Sequence, residues 1–283
     1  MGKLSAIKLL LCNPYIRIVC VLKHVVRPIF DTLFYPLDID AIQRQNTGQS
    51  VVFLNAHMHE GFARFEGEKH VQQVFKPEVV RLEQQGLKVT PNIDDITGDQ
   101  DIVLVLLPKN QIEGQGLIAQ ALQSLKSGGV LAVAAGNKAG GSRIAKQFKA
   151  FGIEDFQQET RNRARVVWAT IDGYDEQHVQ QVILAASVRR VCDDKYQSQA
   201  GIYGWDKIDK GSALLVENLP EQGVKNGADF GCGYGYLSLA AQPQFGCKSW
   251  VCIDADWRAV EACKANMDAY GFEADYLWAD LTA

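Results

Sequence analysis

Residues 228–237 read Ala-Asp-Phe-Gly-Cys-Gly-Tyr-Gly-Tyr-Leu, a run that few backbone paths accommodate. A short apolar stretch ends in the acid Asp229, glycines follow at the alternate positions 231, 233 and 235, and a helical pattern starts at Leu237. The order is a strand, a tight turn and a helix start. Glycine is needed where the chain takes positive φ, or where a ligand approaches the backbone with no Cβ in the way. Such a turn sits at the carboxyl end of the first strand of an open α/β sheet, where these sheets bind their ligands. Dinucleotide sites and plain tight turns share the pattern, so the glycines alone name no ligand.

The segments that follow narrow the choice. Residues 249–253 form a second apolar strand ending in Asp254, and an acid at that tip is placed to accept both hydroxyls of a ribose. The spacing is G-x-G-x-G, not the G-x-G-x-x-G of a pyrophosphate-binding turn. Asp229 ahead of the glycines suits a ligand with a cationic amino-acid tail. A third strand, residues 274–279, ends in Asp280, placed to accept a hydrogen bond from an adenine amine. Three acids at three strand ends resemble the S-adenosylmethionine site of a class I methyltransferase. On that resemblance the cofactor-binding residues are Asp229, Gly231, Gly233, Gly235, Asp254 and Asp280. The alternative is an α/β domain whose strands end in Asp because Asp favours turns.

Upstream, residues 37–187 alternate strands and helices. Strands are expected at 50–54, 101–107, 130–135 and 165–171, and helices at 70–85, 117–126 and 142–151. The run Asp-Ile-Val-Leu-Val-Leu-Leu at 101–107 marks a strand buried on both faces. The alternation predicts a parallel sheet covered by helices. Its first turn, residues 55–61, lacks alternate glycines, so a cofactor could not lie against its backbone; this half looks like a duplicated methyltransferase fold that has lost its cofactor. His57 and His59 in that turn share a face if the strand continues, but with no third ligand cluster they are expected to be loop histidines without a metal.

A net charge of -4 argues against a protein that grips nucleic acid over its whole surface, yet it leaves room for a local basic patch. Lys138, Arg143, Lys146, Arg161 and Arg163 supply one, with Arg161, Arg163 and Arg165 on one side of a strand if it begins that early. The patch reads as a phosphate-binding platform for RNA, or else as a solvated helix face and an ordinary loop. Seven cysteines with no C-x-x-C pair give neither a disulfide framework nor a zinc site, which points to a reducing compartment, the cytoplasm. Cys252 and Cys263 fit small core positions. Residues 1–36 are an apolar, basic leader interrupted by Lys8, Pro14 and Arg17, so stable membrane insertion is not expected. Either an interfacial amphipathic helix or an appended leader fits it.

Residues 201–215, Gly-Ile-Tyr-Gly-Trp-Asp-Lys-Ile-Asp-Lys-Gly-Ser-Ala-Leu-Leu, resemble the stretch that leads into the catalytic domain of the tandem-domain ribosomal RNA guanine-N2 methyltransferases, the small-subunit type above all. Leu-Pro-Lys-Asn at 107–110 and Gly-Asn-Lys-Ala-Gly at 136–140 match the N-terminal domain of that family. The resemblance implies a division into 1–36 (leader), 37–187 (cofactor-free methyltransferase-like domain), 188–215 (linker) and 216–283 (first half of the cofactor-binding domain). It implies methyl transfer from S-adenosylmethionine to the exocyclic amine of a guanine in ribosomal RNA, or in the small-subunit particle, by a monomer with no metal. Asp209 and Gly211 would belong to a segment packed over the site. In this family an Asn-Pro-Pro-Phe loop after the fourth strand carries the acceptors for the amine and stacks the base. The sequence contains no Pro-Pro, so the catalytic residue is unassigned, and the chain is expected to be a truncated member that binds the cofactor weakly or not at all. A non-catalytic RNA-binding remnant is the second reading.

Overall fold

The computed structural model describes residues 27–42, 48–96, 99–219 and 223–281. The expectations for residues 1–26 lie outside the described residues.

The N-terminal half is built on a seven-stranded sheet of β1 (Ser50–Leu54), β2 (Glu68–Gln72), β3 (Val89–Thr90), β4 (Gln100–Leu106), β5 (Leu125–Gly136), β6 (Gln157–Arg161) and β7 (Ala164–Ile171). Their spatial order is β3-β2-β1-β4-β5-β7-β6. All pairs from β3 to β5 are parallel, and β7 runs antiparallel to both β5 and β6. The expected α/β architecture is therefore present, with one strand reversed. The apolar run on β4 is buried on both faces, as a central parallel strand requires.

Two apolar layers cover the sheet. On one face α4 (Gln111–Ser124), α5 (Ile144–Ala150) and α6 (Glu176–Ala186) pack through Ile118, Leu122, Phe148 and Val179. On the other lie α1 (Arg27–Asp38), α2 (Glu60–Ala63) and α3 (Lys76–Glu83). Phe30, Leu33, Phe34 and Leu37 of α1 are all buried in this second layer. The boundary expected at residue 36 is thus corrected: the folded domain begins no later than Arg27, because α1 carries an apolar face that the sheet needs.

Two further expectations change. Residues 70–85 are not one helix; they divide into β2 and α3, with Pro77 in the first turn of α3. Proline has no N–H to donate and fits only that first turn, so the helix starts there. Arg161, Arg163 and Arg165 do not share a strand. Asn162 and Arg163 take φ of 51° and 59°, a two-residue turn that reverses the chain between β6 and β7.

The C-terminal half repeats part of this plan. β10 (Asn226–Phe230), β11 (Ser249–Asp254) and β12 (Ala274–Trp278) form a parallel sheet in that order, the order of β1, β2 and β3. α8 (Tyr236–Phe245) follows β10, and α9 (Trp257–Ala269) follows β11. Among the described residues β10 is hydrogen-bonded on one side only, and Phe230 on it is 64% exposed. Cys252 and Cys263 are fully buried, as expected for small core residues.

Residues 188–215 are not a bare linker. A hairpin of β8 (Arg189–Val191) and β9 (Tyr196–Ser198) places Val191 and Tyr196 in the C-terminal core. Asn266 of α9 fastens it, accepting from Gln197 N at 2.7 Å and donating to Gln197 O at 2.8 Å. Asp209 then caps α7 (Lys210–Glu217), accepting from Ser212 N at 2.9 Å.

Candidate functional site

The sequence from β10 into α8 forms the strand, turn and helix start expected of it. Gly231, Gly233 and Gly235 all have positive φ, at 85°, 54° and 88°. Their surroundings differ. A Cβ placed on Gly231 or Gly233 would meet no atom within 4 Å, so both present bare backbone to open space. A Cβ on Gly235 would lie 2.9 Å from Cys263 Sγ, so this glycine lets α8 lie against α9 and faces protein, not a ligand.

The three acids come from adjacent parallel strands. Asp229 is the fourth residue of β10, and Asp254 ends β11 beside Trp278 of β12 in the register. Ala279 N donates to Asp254 O at 3.0 Å, and partly buried Asp280 follows. All three therefore stand at the carboxyl edge of one sheet. Asp254 also shapes the glycine turn, its two carboxylate oxygens accepting from Gly233 N and Asp256 N, both at 2.9 Å. Burial raises its pKa, against the effect of these amides. Asp229 is only 6% exposed and accepts from Ser238 Oγ of α8 at 2.6 Å. Burial raises its carboxyl too, partly offset by Ser238, with Asp254 adding like-charge repulsion. Asp229 therefore sits behind the turn, tying strand to helix.

The residues flanking this edge were not found from sequence. The loop between β2 and α3 docks on the turn after Asp254, where Lys76 N donates to Ala255 O at 2.8 Å and Trp257 N to Val74 O at 2.9 Å. Trp278 donates from Nε1 to Val74 O and Ala255 O, and the Lys76 ammonium lies 4.4 Å from its ring centroid. Beside them Arg258 of α9 reaches Glu113 of α4 at 2.6 Å and Asp256 at 2.6 and 3.0 Å. Burial works against the charge on Arg258, but the two carboxylates outweigh it and hold its pKa above the ordinary arginine value. The N-terminal half thus clamps the backbone directly after Asp254 and the side chain two residues before Asp280. A segment expected over the site also touches it, since Tyr234 donates to Lys207 O at 3.1 Å.

In the N-terminal half the equivalent turn after β1 is occupied by protein. Phe30 stacks on His57 and Phe34 on His59, at centroid distances of 5.0 and 4.5 Å. His57 Nδ1 lies 3.3 Å from Glu78 and His59 Nε2 lies 3.0 Å from Asp31. Among the described residues no group of three or more His, Cys, Asp or Glu is arranged to hold a metal ion.

The five cations fall into three places. Asn137 N donates to Arg163 O at 2.9 Å, which sets the loop of exposed Lys138 beside the turn of exposed Arg163. Arg143 and Lys146 lie on or next to α5 and line a cavity against α4. Arg161 folds onto α1, its guanidinium 4.2 Å from the Tyr35 ring centroid.

Comparison with known proteins follows the same division. Residues 50–182 match the family model of the methyltransferase small domain N-terminal, and residues 194–283 that of the methyltransferase small domain. The ribosomal RNA small subunit methyltransferase C of Shewanella halifaxensis is 29% identical over 189 residues, 64% of this chain and 53% of the relative. That of Pseudomonas paraeruginosa is 27% identical over 189 residues, 65% of this chain and 55% of the relative. The chain spans about half the length of the curated relatives it matches. A T. thermophilus 16S rRNA N2 methyltransferase, RsmC, solved in complex with AdoMet and guanosine, superposes with a TM-score of 0.70 at 20% identity, over 91% of this chain and 70% of that one. The two share a fold.

Proposed function

The chain belongs to the tandem methyltransferase small-domain family that holds the ribosomal RNA guanine-N2 methyltransferases, and from that premise we propose that it takes part in methylating a guanine amine of small-subunit ribosomal RNA with S-adenosylmethionine. The observation that carries this reading is the open backbone of Gly231 and Gly233 at an edge that also holds Asp254 and Asp280. The residues fit the cofactor. Its amino-acid portion would lie along the two glycines, with Asp229 behind them. Its ribose hydroxyls would be accepted by Asp254 and its adenine amine by Asp280. When bound, the cofactor supplies an electrophilic methyl group on a sulfonium.

The protein's own contribution is orientation. Asp254 is fixed by Gly233 N and Asp256 N and so is held ready, at no rotamer cost on binding. The N-terminal loop that grips Ala255 and Trp278 limits motion of the same edge. Orientation of this kind supplies much of the rate in a transfer that needs an in-line approach. No described side chain is assigned as the group that activates the guanine amine. Lys138 and Arg163, exposed at the end of β5, are the RNA phosphate contacts in this reading, with Arg143 and Lys146 beside them. The protein acts as a monomer in the cytoplasm, where its substrate is; none of the described helices is long and apolar enough to cross a membrane.

Calorimetric titration with S-adenosylmethionine tests the proposal. The chain is expected to bind it, and Asp254→Ala to weaken binding at least tenfold. Equal affinity of the two proteins, or no heat from the parent at millimolar cofactor, would leave the second reading, an RNA-binding remnant without catalysis.

A further inference from the structure

Phe75 breaks a local rule at the junction of the two halves. Val74, Phe75 and Lys76 lead from β2 into α3, as Ala255, Asp256 and Trp257 lead from β11 into α9. The two loops hold the same place in their respective halves, and they pair with each other. Phe75 and Asp256 form an antiparallel bridge. Lys76 N donates to Ala255 O at 2.8 Å on one side of it, and Trp257 N to Val74 O at 2.9 Å on the other. At the cap of α9, Asp256 accepts from Arg258 N at 3.0 Å. At the cap of α3, the Phe75 side chain offers no acceptor. Short polar residues are strongly preferred at that position because they satisfy a free backbone N–H.

Packing does not account for the ring either. Phe75 is 37% exposed and joins none of the three apolar cores. Among the described residues it stacks on no other ring and lies under no cation. Its backbone, by contrast, is fixed. Val74 O accepts a second bond, from Trp278 Nε1 at 3.1 Å, so the loop joins the end of β11 to the end of β12. Asp254 accepts from Asp256 N at 2.9 Å, and Asp280 lies two residues after Trp278. A large apolar side chain is thus presented by a rigid loop beside both acids. Departures from local preference with no gain in packing are expected at functional sites.

The two acids answer only the polar rim of an adenosine, its hydroxyls and its amine. The faces of the adenine ring remain, and an aromatic side chain is a fitting partner for such a face. We propose that Phe75 walls the adenosine end of the cofactor site, its ring against the adenine, so that the half without a cofactor contributes directly to binding one. The proposal rests on the cofactor reading above and adds an affinity-setting residue from the other half of the chain.

Calorimetric titration of the full chain tests it with two ligands, S-adenosylmethionine and 5′-methylthioadenosine, which keeps the adenosine and lacks the amino-acid tail. Phe75→Ser removes the ring and supplies a cap for α3. It is expected to weaken both ligands at least fivefold, the lower end of what loss of one base–aromatic stack costs. Phe75→Tyr, which keeps the ring, is expected to bind both within twofold of the parent. Urea unfolding of the variants reads the fold separately and should place both beside the parent. Equal affinity of the parent and Phe75→Ser for S-adenosylmethionine refutes the wall and leaves the cofactor reading standing. So does a loss confined to S-adenosylmethionine, or a parent that binds it but not methylthioadenosine, since the effect would then lie at the amino-acid end. A loss shared by Phe75→Tyr, or one that tracks a loss of stability, refutes the wall as well. No binding of S-adenosylmethionine by the parent at millimolar concentration removes the cofactor reading and the wall together.

Discussion

Arg258→Ala tests whether the two halves stabilise each other through one buried cation. Arg258 and Glu113 are each 14% exposed at the side chain and Asp256 is 19% exposed, so water screens the group little. The substitution removes three charge-assisted hydrogen bonds and leaves two carboxylates facing each other without a counter-charge. Breaking a buried pair in this way costs about 3–5 kcal/mol. Glu113→Ala is gentler, because Arg258 keeps both of its bonds to Asp256; losing one charged hydrogen bond costs about 1.5–3 kcal/mol. Urea unfolding followed by tryptophan fluorescence reads the difference. Trp205, Trp250, Trp257 and Trp278 all lie in the C-terminal half, and the last two touch Val74 across the junction. With a slope of about 2 kcal/mol per molar urea, the transition of Arg258→Ala is expected to fall by about 1.5–2.5 M, and that of Glu113→Ala by about half as much. The double variant should cost less than the sum, since the two sites share one interaction. A loss for Arg258→Ala of under about 1 kcal/mol, the range of an exposed pair, would show that the clamp does not hold the halves together. A loss no greater than that of Glu113→Ala would instead show that the carboxylates left without a counter-charge add nothing to the cost.

Two further predictions concern the glycine turn. Gly235→Ala forces a left-handed φ on a residue with a side chain and drives its Cβ into Cys263, costing about 2–5 kcal/mol of stability in thermal or urea unfolding. Gly233→Ala meets no atom and costs only the conformational part, about 1–2 kcal/mol, yet it should abolish S-adenosylmethionine binding by calorimetry; equal losses of stability in the two variants would contradict their separate roles. Asp229 has a folded-state pKa above the ordinary value of 3.8, so the fold favours its protonated form. Its contribution is fully present below about pH 3.8 and is lost as pH rises through the folded value. Asp229→Asn, which still offers Ser238 an acceptor, should therefore gain stability relative to the parent between pH 4 and pH 7 in thermal unfolding. An unchanged difference across that range would mean that the Asp229 charge is not opposed by burial.

What the amino-acid order determined by itself was local and periodic. Alternate glycines after a short apolar strand, an acid at each strand end and the doubly buried run at 101–107 all announce themselves within ten residues, because backbone sterics and burial act over that distance. Pro77 marks where residues 70–85 divide, although the periodicity there predicts a single helix. The reversal after Arg161 was not, since Asn162 and Arg163 carry no glycine to mark a left-handed turn. Membership of α1 in the core was hidden for another reason: an apolar, basic segment reads alike whether it lies on a membrane surface or beneath Phe53 and Phe62. The tertiary structure alone decided the partners. Glu113 and Arg258 are 145 residues apart, and Trp278 and Val74 are 204 apart. It also decided which groups stay unpaired. Gln147 looks like any polar residue on a short helix until the packing of α4 and α6 encloses it, and whether a buried atom has a partner depends on every neighbour at once.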